Sequence, residues 1–124
     1  MIGYVTLGTN DLERSAAFYD ALVGEMGGKR FMEHEDTFIA WCVDPGKPSI
    51  ALTKPYDEKP ATIGNGVMVA MMVDSTDTVD ALYQKAIELG GTDEGAPGPR
   101  GEGFYAGYFR DLDGHKLNFF YAPQ

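Results

Sequence analysis

Apolar and polar residues follow a pattern that occurs twice along the chain. Residues 4–28, YVTLGTNDLERSAAFYDALVGEMGG, align without a gap to residues 68–92, MVAMMVDSTDTVDALYQKAIELGGT, at an offset of 64. Each copy has a stretch of period two, a capping residue, an apolar stripe of helical period and then glycine. The pattern predicts the same strand, turn and helix in both halves. Two residues could cap each helix, Asn10 or Asp11 in the first copy and Asp74 or Ser75 in the second.

Three further strands are predicted after each helix. The ends of the two copies align at a second offset, 68, which places Gly46 with Gly114 and Pro55 with Pro123. The second copy also contains GAPGPRGEG, whose glycines and prolines are typical of a loop. We therefore predict an α+β fold in one domain, with a βαβββ module over 1–56, a linker over 57–65 and a second module over 66–124. The predicted strands lie near 29–34, 37–43 and 49–54 in the first module and near 93–96, 104–110 and 116–121 in the second.

Charge and composition indicate which classes of partner and which compartment to expect for the chain. Ten Lys and Arg residues against nineteen Asp and Glu give a net charge of -9, which would repel a phosphate backbone, so no nucleic-acid partner is expected. Cys42 is the only cysteine, which excludes an intramolecular disulfide and fits a reducing compartment. The first residues lack the pattern of a signal peptide, and no apolar run approaches about 18 residues. We expect a soluble, cytoplasmic protein with no membrane partner.

Three stretches in this order resemble the vicinal oxygen chelate superfamily, the group of glyoxalase I, bleomycin-resistance proteins and extradiol dioxygenases. They are YVTLGTNDLERSAAFY, GNGVMVAMMVDSTDTVDALYQKAIELGG and YAGYFRDLDGHKLNFF. The resemblance implies two βαβββ modules whose curved mixed sheets form a cup around one ligand site. For many members it also implies a divalent metal, held by one side chain each from the first and last strands of the two modules. It further implies a homodimer.

The four metal positions of the family fall on residues that suit a metal poorly. The resemblance and the two offsets place them at Tyr4, Ile50, Met68 and Asn118. Ile has no donor atom and Met offers a soft thioether, whereas the usual divalent ions prefer imidazole or oxygen ligands. We therefore expect no metal and no cofactor. His34 lies among acidic residues and could form a metal group with them, or could be an ordinary surface histidine.

Period-two alternation extends these positions to a predicted cup lining. The lining is mostly apolar with a few polar groups, as is common in small-molecule pockets. Residues at the mouth could pair with a carboxylate or stack on a ring, although alternation leaves open whether Tyr105, or Tyr108 and Arg110, face inward. The predicted ligand contacts are Tyr4, Thr6, Ile50, Leu52, Met68, Ala70, Met72, Arg100, Tyr105, Tyr108, Asn118 and Phe120.

Three functions fit these residues. The first is a protein that binds and sequesters a small organic ligand. The second is a metal-independent lyase or isomerase with Tyr4 as the candidate proton-transfer group, which requires a depressed tyrosine pKa. The third is a metal-dependent glyoxalase-type lyase, like lactoylglutathione lyase, or a dioxygenase-like enzyme. A lining that only closes an empty cup is the remaining alternative.

Overall fold

Each half of the chain forms a helix that packs on one face of a four-stranded mixed sheet. The computed structural model describes residues 1–123 and divides the chain into two units, Met1–Ile63 and Gly64–Gln124. In each unit the element order is βαβββ, which confirms the fold class predicted from the repeat. Neither helix in the described residues is long and apolar enough to cross a membrane.

Unit 1 contains one helix and four strands. The order of strands in its sheet is β1-β4-β3-β2, with β1 parallel to β4 and the other pairs antiparallel. The parallel pair arises because the helix and two strands intervene between β1 and β4. The elements are β1 (Tyr4–Gly8), α1 (Leu12–Glu25), β2 (Lys29–His34), β3 (Phe38–Cys42) and β4 (Ser49–Thr53).

Unit 2 repeats this topology. Its sheet has the order β5-β8-β7-β6, and β5 runs parallel to β8. The elements are β5 (Val69–Met72), α2 (Thr76–Glu88), β6 (Thr92–Pro99), β7 (Tyr105–Arg110) and β8 (Lys116–Tyr121).

Local capping sets the start of both helices. The side chain of Asp11 accepts a hydrogen bond from the backbone N–H of Arg14 at 3.1 Å, and Ser75 accepts one from Thr78 at 3.1 Å. Each cap is the second of its two candidate residues. The helix α2 ends at Glu88, and Gly90 follows its C-cap Leu89 with a φ of +105°, a conformation that favours glycine.

The core of each unit lies between its helix and one face of its sheet. Burial removes large apolar side chains of both elements from water, and this is the main stabilising contribution to each unit. The buried residues include Tyr19, Leu22, Ile39, Trp41 and Leu52 in unit 1, and Val79, Leu82, Phe109, Leu117 and Phe119 in unit 2.

The strand β6 is longer than the sequence predicted. The sequence predicts a strand near 93–96 followed by a loop, but β6 continues to Pro99 and pairs with β7. Its register shifts twice, between Asp93 and Gly95 and between Gly95 and Gly98. Because β6 is an edge strand, irregular pairing can accommodate glycine and proline that a central strand would exclude.

Candidate functional site

The sheet of unit 2 has a face that points away from α2. Register places Asn118 of β8 between Ala70 of β5 and Tyr108 of β7, and places Phe120 between Met72 and Ala106. Cross-strand partners share a face, so these side chains form one surface. We call it the open face of unit 2, consisting of Met68, Ala70, Met72, Ala106, Tyr108, Arg110, Lys116, Asn118 and Phe120.

Asn118 lies at the centre of the open face of unit 2. Its residue is 1 % exposed, and its Oδ1 atom is buried without a hydrogen-bond partner among residues 1–123. Leaving a buried acceptor unpaired costs about 1–3 kcal/mol, so most such atoms in folded proteins have partners. The Oδ1 atom is therefore an unused hydrogen-bond acceptor at the centre of this face.

Two cations contact the ring of Tyr108. The Arg100 guanidinium carbon lies 5.4 Å from the ring centroid, and the Lys116 Nζ lies 5.5 Å from it. Neither side chain has a carboxylate within ion-pair distance in the described part of the chain. This pair of cations stands beside Asn118 on a chain of net charge -9.

Glycines provide the room for Arg100. A Cβ built on Gly95 would lie 3.2 Å from Nη2 of Arg100, and one built on Gly98 would lie 3.2 Å from Nη1. The Nη2 group donates a hydrogen bond to the carbonyl of Ala96 at 2.7 Å. The guanidinium therefore lies along β6 and reaches Tyr108.

The polar groups of Tyr105 and Arg110 are already bonded to other groups of the protein. The Tyr105 hydroxyl donates to a carboxylate oxygen of Asp80 on α2 at 2.7 Å, which places Tyr105 on the helix side, and this bond raises the pKa of Tyr105. Arg110 shares the face of Tyr108 but forms an ion pair with Glu94 and donates to the carbonyl of Gly114. The structure thus places Tyr108 and Arg110, and not Tyr105, on the open face of unit 2.

An aromatic pair adjoins Asn118 on the same face. Phe104 stacks on Phe120 with centroids 5.2 Å apart and an interplanar angle of 21°. Met72 is 60 % exposed beside them. The sequence prediction omitted Phe104 and Lys116, although two-residue alternation from Asn118 would have found Lys116.

Unit 1 has an open face of its own. Tyr4 is 61 % exposed and meets Phe38 edge to face, with ring centroids 6.4 Å apart. Thr6 lies two residues along the same strand and is exposed. Register on β3 adds Met32 and His34 to this face, and both are exposed.

The predicted face of Ile50 and Leu52 is wrong. Ile50 pairs with Val5 and with Trp41, and Leu52 pairs with Leu7, so both side chains lie on the helix side of the sheet. Shifting a strand alignment by one residue reverses the face of every side chain. Ile50 and Leu52 therefore belong to the core side of unit 1.

A difference in turn length explains the error. Trp41 pairs with Ile50 in unit 1, whereas Phe109 pairs with Leu117 in unit 2, so the turn of unit 1 is one residue longer. The position equivalent to Asn118 is Ala51, at an offset of 67. Ala51 has a methyl group and no donor atom.

The side chains at the expected metal positions do not suit a divalent ion. Unit 1 offers a phenol at Tyr4 and the methyl group of Ala51, and unit 2 offers the thioether of Met68 and the amide of Asn118. Neither pair contains the imidazole or carboxylate that such ions prefer. Across residues 1–123, no three His, Cys, Asp or Glu side chains are grouped to hold a metal.

His34 does not gather acids around itself. Its neighbour Glu33 aligns with Ile39 on the opposite face and accepts a hydrogen bond from Arg30 at 3.0 Å. Glu35 lies in the turn that follows, with a φ of 49°. The alternation that separates His34 from Glu33 is a property of any strand.

Comparison with known proteins identifies the family. Residues 1–119 match the Glyoxalase/Bleomycin resistance protein/Dioxygenase superfamily. The chain belongs to this superfamily. The resemblance inferred from three sequence stretches is thereby confirmed, and no curated protein matches the chain.

Several solved structures share the fold along nearly the whole chain. A glyoxalase/bleomycin resistance protein from Albidiferax ferrireducens T118 is 35 % identical, with a TM-score of 0.89 and coverage of 99 % of both chains. A hypothetical protein from S. aureus is 30 % identical, with a TM-score of 0.76, and the match covers 98 % of this chain and 93 % of that one. A lactoylglutathione lyase from Agrobacterium tumefaciens is 18 % identical, with a TM-score of 0.72 and coverage of 98 % and 92 %, and shows similarity of fold alone.

Proposed function

We propose that this chain binds a small organic molecule on the open face of unit 2, without a metal ion, and sequesters the molecule. The observation that carries the proposal is the buried Oδ1 atom of Asn118, which lacks a partner in the described residues. Around it lie apolar and aromatic side chains with a few polar groups, which is the usual composition of a small-molecule site. A ligand donor would satisfy the acceptor and recover the free energy lost by its burial.

The donor chemistry favours this proposal over a metal-dependent lyase. A metal-assisted lyase needs an ion that polarises a substrate oxygen. Ala51 and Met68 stand where ligands of that ion would be expected, and neither has an oxygen or nitrogen donor in its side chain.

The surroundings of Tyr4 favour binding over metal-independent catalysis. The ring of Tyr4 contacts Phe38, and within residues 1–123 its hydroxyl has no hydrogen-bond partner. A proton-transfer group works best when a neighbouring charge or hydrogen bond brings its pKa close to the working pH. Sequestration requires no such neighbour.

We also propose that the chain forms a homodimer. Large apolar side chains are exposed on both open faces, including Tyr4 and Met32 in unit 1 and Met68 and Met72 in unit 2. Exposed apolar surface of this kind is often covered by a partner.

A cytoplasmic location stays a prediction, which rests on the single cysteine.

Two measurements test the proposed function. Metal analysis of the purified protein should find far less than one divalent ion per chain, and chelator should leave ligand binding unchanged. In a thermal-shift screen of organic fragments, a true ligand at about a hundred times its Kd should stabilise the fold by about 2.7 kcal/mol. Absence of a shift with every fragment would contradict the proposal, as would hemithioacetal turnover that chelator abolishes.

A further inference from the structure

We propose that the site of unit 2 selects a planar aromatic carboxylate that carries a hydroxyl or N–H donor. This inference rests on the proposed function, because it names the class of molecule that the open face of unit 2 would bind. It depends on Arg100 and Lys116 at the ring of Tyr108, and on the unpaired acceptor of Asn118.

The positive charge at the ring of Tyr108 favours an anionic ligand. Arg30 and Arg110 are neutralised by Asp20, Glu33 and Glu94, with the Arg30 contacts at 2.8 and 3.0 Å. Arg100 and Lys116 have no such partner within residues 1–123. Two unpaired cations on one ring attract an anion locally, although the chain as a whole carries -9. A carboxylate would complete the ion pairs that the protein leaves unmade.

The guanidinium of Arg100 keeps N–H donors available for a ligand. The Arg100 guanidinium uses Nη2 on the carbonyl of Ala96 at 2.7 Å and Nη1 on that of Pro99 at 3.4 Å. A guanidinium has five N–H donors in a fixed plane, so others remain for a ligand carboxylate. Because Gly95 and Gly98 lack side chains, the guanidinium can approach the backbone of β6 closely. Arg100 is therefore held in place before any ligand arrives.

The aromatic side chains around Asn118 favour a ligand that contains a flat ring. Tyr108 is the direct cross-strand partner of Asn118, and such partners have Cβ atoms about 4.5–5.5 Å apart. The stacked rings of Phe104 and Phe120 adjoin Asn118 on the same strand face. A flat ring fits against these aromatic surfaces, and a donor on the ring would reach the Asn118 acceptor. The Oδ1 atom is buried, so a ligand donor reaches it only after a covering side chain moves.

Three related probes separate these contributions. 4-Hydroxybenzoate has the anion, the ring and the donor, benzoate lacks the donor, and methyl 4-hydroxybenzoate lacks the anion. Titration calorimetry at pH 7 should give the lowest Kd for 4-hydroxybenzoate. Methyl 4-hydroxybenzoate should bind at least about tenfold more weakly, since a hydrogen bond to a charged group contributes about 1.5–3 kcal/mol. Benzoate should bind about fivefold more weakly, since a neutral hydrogen bond contributes about 1 kcal/mol.

Variants assign each contribution to a residue. Arg100→Gln and Lys116→Gln should each raise the Kd of 4-hydroxybenzoate about tenfold or more and leave that of the methyl ester unchanged. Asn118→Leu should weaken both hydroxylated probes and leave benzoate unchanged. Lys47→Gln, an exposed residue of unit 1 with the same change of charge, should bind like the parent protein. Circular dichroism and melting temperature would verify that each variant is folded.

The outcomes distinguish this inference from the proposed function. If the methyl ester binds as tightly as the acid, or if Arg100→Gln and Lys116→Gln affect both equally, selection of a carboxylate is overturned while small-molecule binding stands. If none of the three probes binds but neutral fragments do, the inference again fails alone. If no organic molecule of any charge binds, both proposals fail.

Discussion

At the scale of single residues, two buried polar side chains differ in their hydrogen bonding. The Thr9 hydroxyl donates to Ser15 Oγ at 3.1 Å and accepts from the backbone N–H of Asp11 at 3.0 Å. Asn118 is equally buried, with an Oδ1 atom that has no partner in the described residues. Their substitution should therefore change stability in opposite directions.

Asn118→Leu should raise the free energy of unfolding by about 1 kcal/mol, because it removes a buried acceptor that makes no hydrogen bond. Thr9→Val should lower it by about 1–2 kcal/mol, because it removes both of these buried hydrogen bonds. Urea unfolding followed by circular dichroism measures both values. A large loss of stability in Asn118→Leu would mean that the amide stabilises the fold, and would contradict its assignment as a ligand-binding group.

Tyr83 should make the free energy of unfolding depend on pH at alkaline values. Burial raises the pKa of Tyr83 to about 12, and its hydrogen bond to Asp93 at 2.6 Å adds to the shift. In the unfolded chain the pKa of the phenol is about 10. Its contribution to stability is therefore complete below that pH and is lost as the pH rises through about 12. In thermal melts, Tyr83→Phe should lose less stability between these pH values than the parent. Identical pH profiles would contradict this assignment.

At the scale of elements, the helix caps allow a direct comparison of neighbouring residues. The hydroxyl of Ser75 accepts the N–H of Thr78 at 3.1 Å, so Ser75→Ala should destabilise the protein by about 1 kcal/mol. Asp74→Ala, the adjacent candidate from the sequence, should change stability by less than about 0.5 kcal/mol, as is usual for a surface substitution. Chemical denaturation of the two variants measures the difference, and equal effects would mean that the cap is misassigned.

Asp20 joins α1 to two strands of unit 1. Its carboxylate accepts two hydrogen bonds from Arg30 at 2.8 Å and one from the Trp41 indole N–H at 2.9 Å. The Arg30 bonds lower the pKa of Asp20, with a further contribution from Trp41. Stability from Asp20 is therefore present above about pH 3.9, the unfolded value, and is lost as the pH falls through the lower folded value.

Asp20→Asn should destabilise the protein by about 1 kcal/mol, a modest value because water partly screens the ion pair. Trp41 is the only tryptophan, so its fluorescence reports this site directly. The parent should show an acid transition in fluorescence that is absent in Asp20→Asn. Asp44→Asn, an exposed aspartate of the same unit, should retain the transition.

At the scale of the whole molecule, the open face of unit 1 tests the proposed homodimer. Light scattering should give twice the chain mass of 13.5 kDa. Met32→Glu places a charge on an exposed apolar position of this face and should shift the mass to that of one chain. Ala17→Glu, on the exposed side of α1, is the matched control and should remain dimeric. A parent protein of 13.5 kDa would refute the dimer.

The sequence by itself determined the repeat, the βαβββ order and the two pairs of candidate caps. These features depend on local spacing, since periodicity and capping involve residues within one or two turns of each other. The family resemblance made Asn118 a candidate, whereas local spacing left open whether Tyr105 or Tyr108 shares its face. It could not show that the Asn118 acceptor lacks a partner.

Only the tertiary structure decided which residues share a face across strands. A single additional residue in the turn between β3 and β4 replaced Ile50 by Ala51 as the counterpart of Asn118. Such a turn has little local signature, yet it reverses every side chain that follows. The position of Arg100 against Tyr108 likewise depends on the space left by Gly95 and Gly98, because contact between distant residues follows from packing.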